Sequence, residues 1–576
     1  MRRHTPSTIA AVAALALSVA PSARAAYPAA PLGSGGAVAA ADPQATAVGL
    51  EVLRAGGNAV DAAVATALAL AVVFPEAGNL GGGGFAVVRM GGQVQTLDFR
   101  EVAPAAARRD MYLDSRGEPI PDASQVGPLA AGVPASPAGL YELHEKLGHL
   151  PWRRLVEPAR RLASRGFVVG RHLHSVLEDA DARRRMAPFP ETERVWRPGG
   201  APPPVGSTLR LPELAATLAA YADRGPRGIT SGPVAAAVEA AARRHGGILT
   251  AADLAAYRPV WRPPMTFEAF GWKFASMDLP SSGGILIGQV LGVLERLGWG
   301  KLPRFGADRA HVLAEAFRGA FADRFLLGDP ATTRARAADL LDPRWIAARA
   351  GGIDLRRARR SADVHPWPGT AGERPAAGRE SNETTHLSVI DAAGNLVALT
   401  TTMNDLFGSG LYVPEAGFFL NNEMDDFATV AGQPNSFGLI QGEANAVGAG
   451  KRMLSAMAPT VAWRGGEELA LGGRGGPHIP THTAQVLLNL LVDGDSLPAA
   501  LGRPRIHHQW LPDQLEAEPD ALSPETTAEL ERRGHTVKIS TTTAKVHAVR
   551  RLLDGRVEAA TDPREPALGG VVQPER

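Results

Sequence analysis

The 576-residue chain contains no cysteine, and its charges almost cancel, with 60 Lys and Arg residues against 59 Asp and Glu residues. The absence of cysteine excludes disulfide bonds, thiolate metal sites and a cysteine nucleophile. A net charge of +1 offers no broad cationic surface to nucleic acid or anionic lipid. We therefore expect small-molecule partners, no nucleic-acid partner, and a nucleophile that is an oxygen or a nitrogen atom.

Long apolar runs are also scarce. The run over residues 9–20 follows a basic start and precedes Pro21 and the sequence Ala23-Arg24-Ala25. This order is typical of a secretory signal, and the run is shorter than the ~20 residues of a membrane helix. We predict that residues 1–25 are a signal peptide, that the mature protein is periplasmic or secreted, and that it has no membrane partner. An uncleaved anchor is the alternative.

A helix, helix, glycine run and strand pair open the mature chain. Asp42 and Asn58 are predicted to cap the two helices, the second of which ends before Pro75. The glycines at 81–84 lead into two short strands. This run has no following Lys-Ser/Thr and comes after a helix, so we interpret it as a place of close backbone packing rather than a phosphate loop.

Ala-rich amphipathic patterns predict helices over residues 211–221, 234–244 and 307–325, and Thr250 is a predicted helix start. Residues 356–380 are rich in Arg, Pro, Gly and Ala with little periodicity, which predicts an exposed, mobile segment. After this segment the pattern becomes that of β-strands.

Two alternating runs flank the sequence Asp391-Ala-Ala-Gly-Asn395 and predict a hairpin whose three-residue loop is centred on Ala393. In that register Thr384 faces Thr402. Opposed Cβ atoms lie ~5 Å apart, which is close enough for the two hydroxyls to hydrogen-bond. A plain Thr-rich hairpin without chemistry is the equal alternative on these residues alone.

Eight motifs follow one another along the chain: Gly56-Gly-Asn-Ala-Val-Asp-Ala62, Gly78-Asn-Leu-Gly-Gly-Gly-Gly84, Asp98-Phe-Arg-Glu101, Thr384-Thr-His-Leu-Ser-Val389, Phe407-Gly-Ser-Gly410, Leu420-Asn-Asn-Glu-Met-Asp-Asp-Phe427, Lys451-Arg-Met-Leu-Ser-Ala-Met457 and His507-His-Gln-Trp510. In content and order they resemble the γ-glutamyltranspeptidase (glutathione hydrolase) family of N-terminal-nucleophile hydrolases. The resemblance covers nearly the whole chain after the predicted signal.

The resemblance implies an α+β fold, a four-layer αββα sandwich built from two subunits of one autoprocessed precursor. The cut would fall between Glu383 and Thr384, giving a heterodimer of a large subunit (26–383) and a small subunit (384–576). No cofactor and no metal are implied. The implied reaction transfers a γ-glutamyl group from glutathione or another γ-glutamyl amide to water, or to an amino-acid or peptide acceptor.

Elementary chemistry agrees with this resemblance. A threonine hydroxyl is a weak nucleophile without an adjacent base. Cleavage frees the α-amine of Thr384, which titrates near ~7.7–8 and can therefore act as that base. Thr402 would hold the Thr384 hydroxyl in position.

The resemblance also assigns the substrate contacts. Arg100 and Ser455 would hold the α-carboxylate, whereas Asn404, Glu423 and Asp426 would surround the α-ammonium. Within Gly472-Gly-Arg-Gly-Gly476, the N–H groups of Gly475 and Gly476 would form the oxyanion hole. The alternatives are a structural ion pair for Arg100, and a calcium-like loop or a solvated turn for the acidic residues.

Two positions depart from the family pattern. Ala456 stands among the binding residues where the family commonly has a second serine, which removes a hydroxyl at the substrate carboxylate. Arg474 replaces a small residue or proline, and its charge near the mouth would favour an anionic substrate tail. Two alternatives therefore remain: an acylase of the same fold acting on glutaryl-type amides such as cephalosporin side chains, and a non-catalytic periplasmic binding protein.

Two histidine pairs, His478 with His482 and His507 with His508, raise the possibility of a metal site. Pro477 and Pro480 argue against a regular helix there, and no third ligand is evident, so structural histidines are favoured.

Residues 431–438 resemble the lid loop of the family, with Phe437 as an aromatic gate. An ordinary surface loop is the alternative.

Overall fold

The computed structural model describes residues 27–368, 384–433, 439–565 and 567–573. The predicted signal peptide, Glu383 and Phe437 lie outside these ranges. Within them the strands are β1 (Leu32–Gly33), β2 (Gly36–Ala40), β3 (Gly83–Met90), β4 (Gln93–Phe99), β5 (Phe167–Val168), β6 (Thr208–Leu209), β7 (Val260–Arg262), β8 (Met265–Ala269), β9 (Trp272–Ser276), β10 (Thr385–Asp391), β11 (Leu396–Thr402), β12 (Tyr412–Val413), β13 (Phe418–Phe419), β14 (Thr460–Arg464), β15 (Glu467–Arg474), β16 (Ile506–His507), β17 (Leu515–Ala517), β18 (Val537–Ile539), β19 (Lys545–Arg551), β20 (Val557–Ala560) and β21 (Leu568–Val571).

The α-helices in the same ranges are α1 (Pro43–Arg54), α2 (Ala59–Val73), α3 (Ser136–Leu147), α4 (Trp152–Arg165), α5 (Arg171–Leu177), α6 (Ala180–Met186), α7 (Pro190–Trp196), α8 (Pro212–Arg224), α9 (Arg227–Thr230), α10 (Gly232–Arg244), α11 (Ala251–Ala256), α12 (Gly283–Arg296), α13 (Ala307–Arg324), α14 (Ala337–Leu340), α15 (Pro343–Gly351), α16 (His478–Leu487), α17 (Leu497–Gly502) and α18 (Pro524–Arg532). Among them, no helix has both the length and the apolar character that a bilayer crossing requires.

Two antiparallel sheets, each with seven strands in the described ranges, form the centre of the fold. Sheet I has the order β21-β2-β10-β11-β3-β4-β7, and sheet II has the order β1-β20-β19-β15-β14-β9-β8. Their inner faces pack together, so that Ile390 and Ala398 of sheet I share a core with Leu471 of sheet II. Helices α1 and α2 cover the outer face of sheet I, and α12, α13 and α16 contribute to the core of sheet II. The predicted four-layer αββα sandwich is confirmed.

The helix starts follow the predicted capping residues. The Asp42 side chain accepts hydrogen bonds from the first backbone N–H groups of α1, and Asn58 forms a capping box with Asp61 at α2. These bonds satisfy donors that a helix start otherwise leaves free. The predicted helices over 211–221, 234–244 and 307–325 correspond to α8, α10 and α13, and Thr250 caps α11.

Helix α13 differs from its amphipathic prediction, because every residue from Arg309 to Arg324 is buried. Its charged residues pair inside the protein, as where the Glu315 carboxylate meets the Arg359 Nε at 2.5 Å. The Trp367 backbone N–H also donates to Asp323 of this helix, at 2.7 Å. The described part of the predicted loose segment, residues 356–368, therefore bonds to α13, although seven of its thirteen residues are exposed, as predicted. The mobility of the segment stays a prediction.

Helix α16 also contradicts a prediction, because Pro480 lies inside it at the third helical position. Proline is tolerated in a first turn, where its missing N–H would have no acceptor within the helix. The two prolines thus begin this helix instead of preventing it.

Candidate active site

The β10–β11 hairpin carries the predicted nucleophile. Thr385 pairs with Thr401, so Thr384 stands opposite Thr402, as the hairpin arithmetic predicts. The Thr384 hydroxyl donates to the Thr402 Oγ1 at 3.4 Å, and the Asn404 N–H donates to the same oxygen at 2.8 Å. Both threonines are buried. The two hydroxyls are therefore in contact, as the predicted role of Thr402 requires.

Asn79 and the glycine run at 81–84 pack against the end of strand β11 of this hairpin. The Asn79 amide donates to the Thr402 carbonyl oxygen at 2.9 Å and to the Thr401 hydroxyl at 3.0 Å. A Cβ at Gly82 would collide with that same carbonyl oxygen. The interpretation as close backbone packing is confirmed, and Asn79 is a positioning residue that the sequence analysis did not single out.

The acidic motif forms one turn of 3₁₀-helix over Glu423–Asp426, and all of its residues are buried. The Arg100 Nη1 lies 2.6 Å from the Glu423 Oε2, and Nη2 donates to Asp426. The Asp425 carboxylate instead accepts a hydrogen bond from the Ser124 hydroxyl at 2.5 Å. A solvated turn is excluded by this burial, and Arg100 takes part in an ion pair at the same time as it reaches the predicted site.

Burial is the main influence on the charges of this turn. It raises the pKa of Glu423 well above its usual range and that of Asp426 above its usual value, although the charge of Arg100 opposes both shifts. Burial also raises the pKa of Glu101 to about 8. Burial alone would lower the pKa of Arg100, but Glu423 and Asp426 outweigh it and raise that pKa. The guanidinium therefore stays charged.

One cavity joins the two threonines to this charged turn. Nine of the ten predicted site residues line it: Arg100, Thr384, Thr402, Asn404, Glu423, Asp426, Ser455, Ala456 and Gly476. Gly475 is the tenth and directly precedes Gly476 in the chain. Arg324, Leu439, Met457 and Ile479 also line the cavity, and the sequence analysis did not predict them. The fold thus gathers residues from both predicted subunits around one hydroxyl.

The gamma-glutamyltranspeptidase family model matches residues 45–571 of this chain. The chain belongs to this family. It is 40% identical over 534 residues to the glutathione hydrolase proenzyme of Escherichia coli (strain K12), across 92% of this chain and 90% of that protein. It is therefore an N-terminal-nucleophile hydrolase of the γ-glutamyltranspeptidase family.

Solved structures show the same fold. A cephalosporin acylase from Bacillus halodurans matches with a TM-score of 0.82 and 25% identity, over 97% of this chain and all of that one. A γ-glutamyltranspeptidase from Pseudomonas nitroreducens complexed with L-DON matches with a TM-score of 0.55 and 40% identity, over 58% of this chain and 98% of that one.

In this chain the glycine pair Gly475–Gly476 lies between the end of β15 and the start of α16. Gly475 and Gly476 have φ values of +131° and +52°, which other residues adopt only with strain. The amino end of α16 follows at once, and because Gly476 and Ile479 line the cavity, the partial positive charge of this helix end lies at the cavity wall. This geometry suits a group that stabilises a developing oxyanion.

Arg474 is not at the mouth of the cavity. It is 3% exposed, its Nε donates to Glu565 at 2.7 Å, and its guanidinium lies over the Phe74 ring. The prediction that its charge attracts an anionic substrate tail is wrong, because that charge is neutralised inside the protein.

The segment at Ser455 and Ala456 borders the cavity on the side of Arg324. The Met457 N–H donates to the Ser455 Oγ at 3.1 Å, and the Ser455 carbonyl accepts from the Ser282 hydroxyl at 2.7 Å. Among the described residues the Ser455 hydroxyl shows no acceptor for its own hydrogen. Ala456 offers no donor from its side chain.

The histidines of the two predicted pairs are buried packing residues. The ring centroids of His478 and His507 lie 3.8 Å apart with the ring planes tilted by 31°, and His507 Nδ1 lies 2.9 Å from the Thr481 hydroxyl. Burial lowers the pKa of His482 and of His507 well below the usual range. These two rings are therefore neutral. Three residues of the predicted lid loop, 431–433, are described; the rest of it lies outside the described residues.

Proposed function

We propose that this protein hydrolyses and transfers γ-glutamyl groups after cutting itself between Glu383 and Thr384. The observation that carries the proposal is the cavity itself. Its lining has two adjoining parts. The hydroxyl end is Thr384 with Thr402, and the charged end is Arg100 with Glu423 and Asp426; the two meet where Glu423 lies beside Thr402. A free amino-acid end has both charges that this cluster complements.

Self-cleavage is needed to complete the nucleophile. In the uncut chain the Thr384 nitrogen is an amide and cannot accept a proton. Cleavage would leave a large subunit over residues 26–383 and a small subunit over 384–576, held together by the shared sheets as a heterodimer. Sheet I supports this, since β10 lies between β2 of the large subunit and β11 of the small one.

In the proposed reaction the Thr384 Oγ1 forms a bond to the γ-carbonyl carbon of the substrate while its proton passes to the freed α-amine. The carbonyl oxygen becomes an oxyanion that the N–H groups of Gly475 and Gly476 stabilise. The C–N bond then breaks, and the proton goes to the departing amine. Water or the amine of an amino acid or peptide attacks the resulting γ-glutamyl ester and restores Thr384.

Substrate recognition would use the charged end of the cavity. Asn404 donates through its amide nitrogen to the Asn422 carbonyl at 3.1 Å, which leaves its side-chain oxygen as an acceptor. That oxygen, with Glu423 and Asp426, would bind the α-ammonium. Arg100 has five N–H donors, more than its carboxylate contacts require, so with Ser455 it would bind the α-carboxylate.

The rival substrate class is a glutaryl-type amide, which has no α-ammonium. Ala456 favours this rival, because it leaves the carboxylate one hydroxyl short. The buried acidic turn favours the γ-glutamyl group, since a glutaryl group would leave Glu423 and Asp426 facing no added cation.

Export is a further part of the proposal. The predicted signal peptide over residues 1–25 would direct the protein to the periplasm or outside the cell. Sequencing the amino end of the mature large subunit tests this, and Ala26 is the expected first residue.

The decisive experiment assays the purified mature protein side by side on a γ-glutamyl anilide and a glutaryl anilide of the same leaving group. We expect a higher kcat/KM for the γ-glutamyl substrate. A higher value for the glutaryl substrate would make the protein an acylase. A protein that stays a single band on a denaturing gel and turns over neither substrate would be a binding protein.

A further inference from the structure

Arg324 is a buried cation at the wall of the active-site cavity. It is the last residue of α13 and is 2% exposed, yet its side chain lines the cavity together with Thr384 and Ala456. Neither the motifs nor the family resemblance assigns it a role. Its position therefore requires a physical reason.

The bonding of Arg324 is incomplete. Its Nε donates to the Ser282 hydroxyl at 3.0 Å, whereas its Nη1 has no hydrogen-bond acceptor among the described residues. Burial lowers the pKa of Arg324 to about 10, and the charge of Asp426 offsets only part of this effect. The guanidinium remains charged at neutral pH, and an unpaired buried charge is costly.

Other deeply buried arginines of this protein do not share this state. Each has a carboxylate partner: Arg100 with Glu423, Arg318 with Glu315, and Arg505 with Asp562. Within the described residues Arg324 makes no such ion pair. A buried guanidinium with unmet donors at a cavity wall is complementary to an anion that enters the cavity.

We propose that Arg324 is a substrate-binding residue that donates through Nη1 to the carboxylate of the bound amino-acid end. This inference rests on the proposed function, because it identifies a further contact for the same substrate. Arg100 already shares its charge with Glu423 and Asp426, so a second cation is needed to balance a carboxylate beside them.

The position of Arg324 also accounts for Ala456. The Arg324 Nε reaches Ser282, whose hydroxyl in turn donates to the Ser455 carbonyl. Arg324 is thus fixed to the segment at which the family's second serine hydroxyl is missing. A charge-assisted donor from Arg324 would offset part of the loss of that hydroxyl.

The test compares Arg324→Met with the wild type on two γ-glutamyl anilides, one with a free α-carboxylate and one with that carboxylate amidated. We expect the variant to mature into two subunits and to lose roughly 10- to 150-fold in kcat/KM on the first substrate, the effect of one charge-assisted contact. On the amidated substrate the change should stay within about two-fold. Equal losses on both substrates, or no loss on either, would overturn the assignment.

Two further variants keep the test decisive. Arg309→Met removes another arginine of α13, which pairs with Asp493 at 2.7 Å and does not line the cavity, and it should change neither value by more than about two-fold. If Arg324→Met does not fold, Arg324→Lys decides, because it keeps the charge without the planar fork. It should lose activity on the carboxylate substrate alone, and an equal loss on both would contradict the proposal.

Thermal unfolding without substrate gives an independent readout. Arg324→Met loses the Nε bond to Ser282 but no ion pair, so it should lower the Tm less than Arg309→Met, which breaks the ion pair with Asp493; a larger loss for Arg324→Met would mark a purely structural arginine. Failure of the proposed function is separate from these outcomes, since the wild type would then turn over neither anilide.

Discussion

Two adjoining parts of the active-site cavity, the hydroxyl end and the charged end, are built in different ways. The hydroxyl end consists of neutral hydroxyls on neighbouring positions of one hairpin, where Thr384 and Thr402 are 18 residues apart in sequence. The charged end consists of buried charges, and Arg100 and Asp426 are 326 residues apart. Local strand pairing positions the first end, and packing of distant segments positions the second.

The two ends also differ in the electrostatic free energy that their burial costs. Strand register fixes the hydroxyls at little electrostatic expense, since a threonine needs only hydrogen bonds when buried. The charged end must bury two carboxylates beside two guanidinium groups, which is unfavourable unless they pair or meet a charged ligand. We therefore expect substitutions at the two ends to fail in different ways.

The largest effect should come from the hydroxyl end. Thr384→Ala removes the group that both cuts the chain and attacks the substrate, so this variant should remain one band on a denaturing gel. Its activity should fall by several orders of magnitude. Thr384→Ser keeps a hydroxyl and should still mature, though more slowly. An Ala variant that matures at the normal rate would place the nucleophile elsewhere.

Substitutions at the charged end should spare maturation. Asp426→Ala and Arg100→Lys should each give two subunits but lose about 1.5–3 kcal/mol in kcat/KM for a γ-glutamyl anilide, the value of a charge-assisted contact. Asp425→Asn is the matched control, because this neighbouring carboxylate faces Ser124. The proposed difference between the two ends would be contradicted if either variant stays uncut. It would also be contradicted if the kcat/KM of Asp426→Ala falls equally on a substrate without an α-amino group.

A smaller effect should appear in stability against pH. The pKa of Glu101 is raised to about 8 by burial, so the folded protein keeps a proton that the unfolded chain releases above its ordinary value near 4.5. The free energy of unfolding should therefore fall as pH rises from 5 to 7, by roughly 2–3 kcal/mol. Glu101→Gln should remove this slope in denaturant titrations. An unchanged slope would show that Glu101 ionises normally in the folded state.

The smallest effect concerns the missing hydroxyl. Ala456→Ser should improve kcat/KM for a γ-glutamyl anilide by roughly 0.5–1.5 kcal/mol, the net value of one hydrogen bond. The gain should vanish when the α-carboxylate is amidated. A variant with no gain, but with faster glutaryl hydrolysis, would mean that the carboxylate is not bound beside residue 456.

The same contrast explains what could be predicted from the sequence. The register that opposes Thr384 and Thr402 follows from a symmetric loop within one hairpin, and the caps of α1 and α2 follow from single residues. The inward turn of Arg474 and the burial of α13 depend on segments far along the chain. No local periodicity reveals which face of a helix a later segment will cover.

Arg324 illustrates this limit. As the last residue of a helix predicted to be amphipathic, it reads as an exposed cation near a helix C-terminus, a position where basic residues are common. Only the packed structure shows that the whole helix is covered and that this side chain turns to the cavity. The signal available in the sequence was the placement of the charged residues of α13, which are spread around the helix instead of forming one polar stripe.

The most direct test of the account is to identify the atom that carries the γ-glutamyl group during turnover. The mature protein would be mixed with a γ-glutamyl anilide, quenched in acid, digested and mapped by mass spectrometry. We expect one added γ-glutamyl group, on the hydroxyl of Thr384, within a peptide whose first residue is Thr384. An adduct on any other residue, or a small subunit that begins at another position, would contradict the account.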